Sequence, residues 1–126
     1  MTPSDRGEVS AQIVILTPLL ILLVCLGIQS AIYFHAANVA TAAASQGAAA
    51  GAPLGADAGD AASAASRTIA DLGAHGLGAP RVEANPSIVR VTVEIVVPQI
   101  VPFFPDSVSR TATEPKERFV PEPDRR

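Results

Sequence analysis

From Val9 to Ala56 the chain carries no Asp, Glu, Lys or Arg. Within that stretch Ile13–Tyr33 reads IVILTPLLILLVCLGIQSAIY, twenty-one residues without a charge. At about 1.5 Å per residue, a helix of this length spans about 30 Å, the thickness of a bilayer's hydrocarbon core. A helix buried inside a soluble protein would carry a polar stripe at helical spacing, and this run has none. Its polar or helix-disturbing members are Thr17, Pro18, Gln29 and Ser30. Pro18 removes one backbone hydrogen bond, a defect that transmembrane helices tolerate. The run therefore predicts a membrane-inserted helix near the N-terminus, and everything else must fold around it.

Two fates are open to such a segment. A secretory signal needs a positive n-region, a short apolar run and an A-x-A-like site. Ala40-Thr41-Ala42 offers the site. The leading MTPSDRGE, however, sets one Arg against Asp5 and Glu8, and the apolar run is too long. A retained single-pass anchor fits better. Cys25 reads as an apolar side chain in lipid rather than a lipid-modified residue, because Val24 precedes it where a small residue is wanted. Counting only Lys and Arg near the helix, Arg6 stands alone, which orients the N-terminus towards the cytoplasm.

Composition narrows the function classes. Nine basic against twelve acidic side chains give a net charge of −3, so no basic footprint calls for nucleic acid. One Cys and two His rule against a disulfide framework and a multi-cysteine metal site. No nucleophile sits near a base, and no glycine loop is built to cradle a phosphate. The sequence predicts no enzyme, no metal, no cofactor and no small-molecule substrate.

The run Asp5–Leu20, DRGEVSAQIVILTPLL, resembles the opening of TadE-like proteins, pseudopilins of the Flp or Tad type IV pilus system. The family pattern is a short polar leader ending in Gly, a carboxylate five residues on and a Pro six residues further, inside a long apolar helix. Here Gly7 ends the leader, Gln12 takes the carboxylate position and Pro18 the proline position. The Ala-, Gln- and Gly-rich stretch from Ala36 through Ala49 continues the likeness, which covers roughly the first fifty residues. The resemblance implies cleavage between Gly7 and Glu8 by a membrane prepilin peptidase, removing residues 1–7 and leaving the anchor. It implies other Tad/Flp pilus subunits as partners, in a bacterial cell membrane. In the family the fifth-position Glu pairs with a neighbouring subunit's freed amine. Gln12 carries no charge, leaving it either a hydrogen-bonding contact between helices or a polar residue at the headgroup level.

The remaining chain predicts a small α+β domain. Ala-rich sequence extends the helix outward to about Ala50. Ala43, Gly47, Gly51 and Gly55 recur every four residues, the spacing of a close helix-packing face, although Pro53 interrupts it. The alternative is a frayed helix end and linker over 35–56. A second helix is expected over residues 57–73, capped by Asp60 and Gly73, with Ala62, Ala65, Ile69 and Leu72 as its apolar face. Alternation of Val89, Val91, Val93, Ile95 and Val97 predicts a strand over 87–97. It pairs as a hairpin with a strand near 108–113, and a third short strand is expected over 81–84. Two strands alone are marginal in water, so the valine face needs the second helix or a partner as cover. Between the hairpin strands, Ile100, Val101, Phe103 and Phe104 are fixed by three prolines. They either fold back onto the core or form an exposed contact patch. Charges and prolines from Glu114 to Arg126 predict a disordered tail.

The expected organisation is a leader over 1–7, a transmembrane helix over 8–34, a helical extension and linker over 35–56, an extracytoplasmic domain over 57–113, and the tail. The expected function is that of a minor pseudopilin-like subunit. The rivals are a secreted binding protein cleaved near residue 42 and a plain single-pass interaction protein.

Overall fold

The computed structural model describes the backbone of residues 3–120 and the side chains of residues 7–120. The first two residues of the expected leader and residues 121–126 of the expected tail lie outside the described residues. Helix α1 runs unbroken over Pro3–Gly51, about 73 Å long at the usual rise. It passes through Pro18 and through the expected boundary at residue 34 without interruption. It ends where Gly51 and Pro53 stop it, so the linker shrinks to the short turn before Asp57.

Helix α2 covers Ala58–Asp71. Its cap is Asp57 rather than Asp60. Asp57 is extended and accepts from the Asp60 amide at 3.0 Å, while the Asp60 side chain accepts from the Asp57 amide at 3.0 Å. Two acids three apart form this reciprocal capping box, which holds the helix start three residues earlier than a lone cap at Asp60 would. Gly73 follows Leu72 with φ +68, the left-handed turn expected there. The buried positions of α2 are Ala61, Ala65 and Ile69, a strict every-fourth row, which leaves Leu72 exposed and Ala62 only half-buried.

Three antiparallel strands follow, β1 (Arg81–Ala84), β2 (Ile88–Val96) and β3 (Ser107–Pro115), with β2 in the centre. Val91 lies opposite Val82 of β1 and Ala112 of β3, and Ile95 opposite Val108. Beyond β1 the His75–Leu77 segment continues the pairing. Leu77 donates to the Glu94 carbonyl at 2.8 Å, and Val96 donates to the His75 carbonyl at 3.0 Å. On the polar face Arg90 pairs with Glu83 at 3.2 Å and Glu94 with Arg81 at 3.7 Å. Such exposed pairs contribute little.

The valine face of β2 is covered by α1 itself together with α2. Ala36, Ala37, Ala40, Ala43, Ala44 and Ala48 of α1 are buried in one core with Ala61, Ala65 and Ile69 of α2 and the inward residues of β2. Side chains this small let backbone approach backbone. A Cβ added at Gly47 would stand 2.9 Å from the Ala61 carbonyl oxygen and 3.1 Å from Val91 Cγ1. One added at Gly51 would stand 2.9 Å from Val89 Cγ1. Gly47 and Gly51 are therefore close-packing positions, but the helix and strand they admit belong to the same chain. The stretch from Ala36 to Gly51 packs into the core, and only the turn after it serves as linker.

The expected domain end at residue 113 falls inside β3. Beyond the strand, Lys116 donates to the Ser87 carbonyl at 2.9 Å, Glu117 to the Ala52 carbonyl at 3.0 Å, and Lys116 Nζ to the Ala56 carbonyl at 2.9 Å. These bonds tie the start of the expected tail to the turn after α1 and to the residue before β2. Gly47→Ala should lower the thermal midpoint of the detergent-solubilised protein by a loss of about 1–2 kcal/mol, overpacking outweighing the gain in helix propensity. Gly27→Ala, which meets nothing within 4 Å, should leave that midpoint unchanged or raise it in the same circular-dichroism melt.

Candidate membrane and assembly interface

The lower half of α1 is left largely bare by its own chain. Ile13, Leu16, Leu20 and Leu23 are each about half exposed or more, and every described side chain from Gly7 to Val24 is open. Water would not tolerate an apolar surface of this extent, and lipid or other apolar helices would. The segment is long and apolar enough to cross a membrane, which points to a single-pass membrane protein.

The sequence-predicted site residues separate into three groups. Gly7, Glu8, Gln12 and Pro18 lie on this bare part of the helix. Glu8 and Gln12 are one turn apart and share a face. The Gly7–Glu8 bond sits within the helix rather than in an extended segment. Gly47 and Gly51 lie instead in the domain core, as described above.

The third group is the β2–β3 loop, and it follows neither expectation in full. Phe104 returns to the helix and meets Tyr33 edge to face, with ring centroids 6.1 Å apart. Val101 is half-buried, Ile100 is 50% exposed and Phe103 is fully exposed. The loop lies beside the membrane helix rather than on the domain core. Ile100, Val101 and Pro102 face Thr17, Pro18, Ile21, Leu22 and Cys25 across an open apolar notch of about 390 Å³.

Gln29 holds the loop there. It is completely buried, and its amide serves both ways. Nε2 donates to the Pro98 carbonyl at 3.1 Å, and Oε1 accepts from the Ile100 amide at 2.6 Å and the Val101 amide at 3.2 Å. Sequence reasoning saw Gln29 only as a polar interruption of an apolar run. An amide in an apolar helix needs partners of its own, which is the signal that could have raised it to a site residue. Its neighbour Ser30 is satisfied more simply, donating to the Leu26 carbonyl at 2.8 Å.

With the long helix and its bare lower half described, the comparison with protein families bears on this segment. Residues 7–49 match the TadE-like protein family. The TadE-like match ends two residues before α1 does, so it coincides with the helix and leaves α2 and the sheet outside it. Comparison with curated proteins and with solved structures finds no match.

Replacing Gln29 by Leu leaves two loop amides and one carbonyl without their buried partner, a loss of about 2–3 kcal/mol. Hydrogen exchange at the Ile100 and Val101 amides should then accelerate by roughly tenfold or more. Unchanged exchange would mean that Gln29 does not hold the loop.

Proposed function

We propose that this protein is a minor pseudopilin-like subunit of Tad/Flp pilus assembly, processed by a prepilin peptidase after Gly7 and acting through helix packing in the membrane. Its role is structural rather than catalytic. The observation that carries the reading is the bare lower half of α1, which bears Gly7, Gln12 and Pro18 in the family register. Cleavage there removes a short polar leader and keeps the anchor. A new amine would stand at Glu8, one turn from Gln12. Since Gln12 is uncharged, it joins neighbouring helices by hydrogen bonding rather than by an ion pair. The N-terminus lies on the cytoplasmic side, and the domain stands outside it.

The rival in which residues 1–42 are a cleaved signal has the packing against it. Removing them would strip Ala36, Ala37, Val39 and Ala40 from the core and Gln29 from the loop. A large part of the cover over the valine face would go with them. A plain membrane-anchored interaction protein keeps the packing but leaves the in-register Gly7, Gln12 and Pro18 without a purpose.

The test is the mature N-terminus, read by intact mass and N-terminal peptide mapping on protein extracted from membranes of the native host. The expected start is Glu8, and Gly7→Lys should leave the chain at full length. A native start at Met1, or normal processing of Gly7→Lys, would contradict prepilin maturation. A start near Ala43 would instead favour the secreted form.

A further inference from the structure

We propose that the β2–β3 loop is inserted into the bilayer leaflet on the side of the folded domain, with Phe103 as its lipid-embedded anchor. The proposal rests on the membrane-spanning reading of the lower half of α1, and it holds for either orientation of the chain.

Depth is the first argument. Tyr33 and Phe34 pack edge to face at 6.1 Å beside the base of the loop, the kind of aromatic pair found at a membrane–water interface. From Tyr33 the loop's apolar residues run down past Gln29 to face Cys25 and Leu22. Tyr33 to Leu22 is eleven residues, or about 16 Å along a helix. A segment lying beside that part of the helix shares its surroundings.

The second argument is polar bookkeeping. Irregular backbone is tolerated at membrane depth only where its polar groups are satisfied. Pro98, Pro102 and Pro105 have no N–H to satisfy. The Ile100 and Val101 amides and the Pro98 carbonyl are taken by Gln29, and the Gln99 side chain donates to the Phe104 carbonyl. From Val97 to Pro105 there is no charged residue. The amides of Ile100 and Val101, the residues that face the helix across the notch, are thus satisfied within the chain, whereas those of Gln99, Phe103 and Phe104 are left for the surroundings.

The third argument selects lipid as the occupant. Phe103 has φ +69, a left-handed conformation that bulky residues rarely adopt, and its side chain is 101% exposed. Phe104 turns back to Tyr33, whereas Phe103 turns away from the whole chain. Its chain neighbours Ile100, Val101 and Pro102 line one side of the notch and Ile21 and Leu22 the other, so the apolar surface next to Phe103 joins the bare helix surface below. Whatever surrounds that helix surface surrounds the loop tip.

The chain has no Trp, so a single substitution gives a unique fluorophore. Full-length Phe103→Trp is reconstituted in phosphatidylcholine vesicles with and without brominated acyl chains. Leu22→Trp serves as the membrane-helix reference, and Leu54→Trp, in the turn at the far end of α1, as the aqueous one. The expected result is blue-shifted emission at position 103, quenched by brominated lipid severalfold more than at position 54. Strong quenching at position 22 with position 103 behaving like position 54 would overturn the loop insertion alone. Absence of quenching at position 22 would overturn the membrane reading and the proposal with it. Shielding of position 103 from both brominated lipid and aqueous acrylamide would mean that protein, such as a second copy, covers the tip, and would also overturn it.

Discussion

The alanine and glycine stripe on the upper half of α1 lies against the valine face of β2 so closely that Gly51 has no room for a side chain beside Val89. The rest of the molecule depends on this contact. A three-stranded sheet and a fourteen-residue helix make a small core, and without α1 the valines would face water. With α1 in place, the domain is built around the end of its own anchor. The position of the domain relative to the membrane then follows from helix geometry rather than from a linker.

The same helix meets two surroundings and changes its side chains accordingly. Below Gln29 it presents branched aliphatic residues outward, with no stripe to distinguish one face from another. Above Tyr33 it becomes Ala- and Gly-rich and acquires a buried face. Between the two, Gln29 and Ser30 are the polar residues, and both have partners within the chain. The junction is where the β2–β3 loop docks, so the polar residues there secure the folded domain to the anchor. A TadE-like helix thereby carries a domain that lies outside the family match, and the pilus-assembly reading rests on the helix alone.

Much of this was legible in the sequence because it is local. The uncharged run, the period-two valines and the Ala-rich extension each act through their nearest neighbours in the chain, and they fixed the helix, the central strand and the α+β class. The Asp57–Asp60 box was half-legible, since either acid alone makes a cap and only the pair decides between them. What could not be read was pairing at long range. Gly47 and Gly51 carry the spacing of an intermolecular face, and nothing in that spacing says that the partner is α2 and β2 of the same chain. Gln29 and the loop it clamps are about seventy residues apart, and each looks like an anomaly until they are brought together. The order of the tail's first residues was not legible either, because the carbonyls that receive Lys116 and Glu117, at Ala52, Ala56 and Ser87, lie far back in the sequence.

The central claim is that anchor and domain share one rigid helix across the membrane boundary. Leu20 and Gln46 are both exposed and lie on either side of that boundary, so spin labels there, in a Cys25→Ser background, report on it directly. An unbroken helix sets their backbone separation at about 39 Å. Double electron–electron resonance on the protein in lipid nanodiscs should give a single narrow distribution near that value. A broad distribution, or one shifted well below it, would mean a hinge between anchor and domain and would contradict the account.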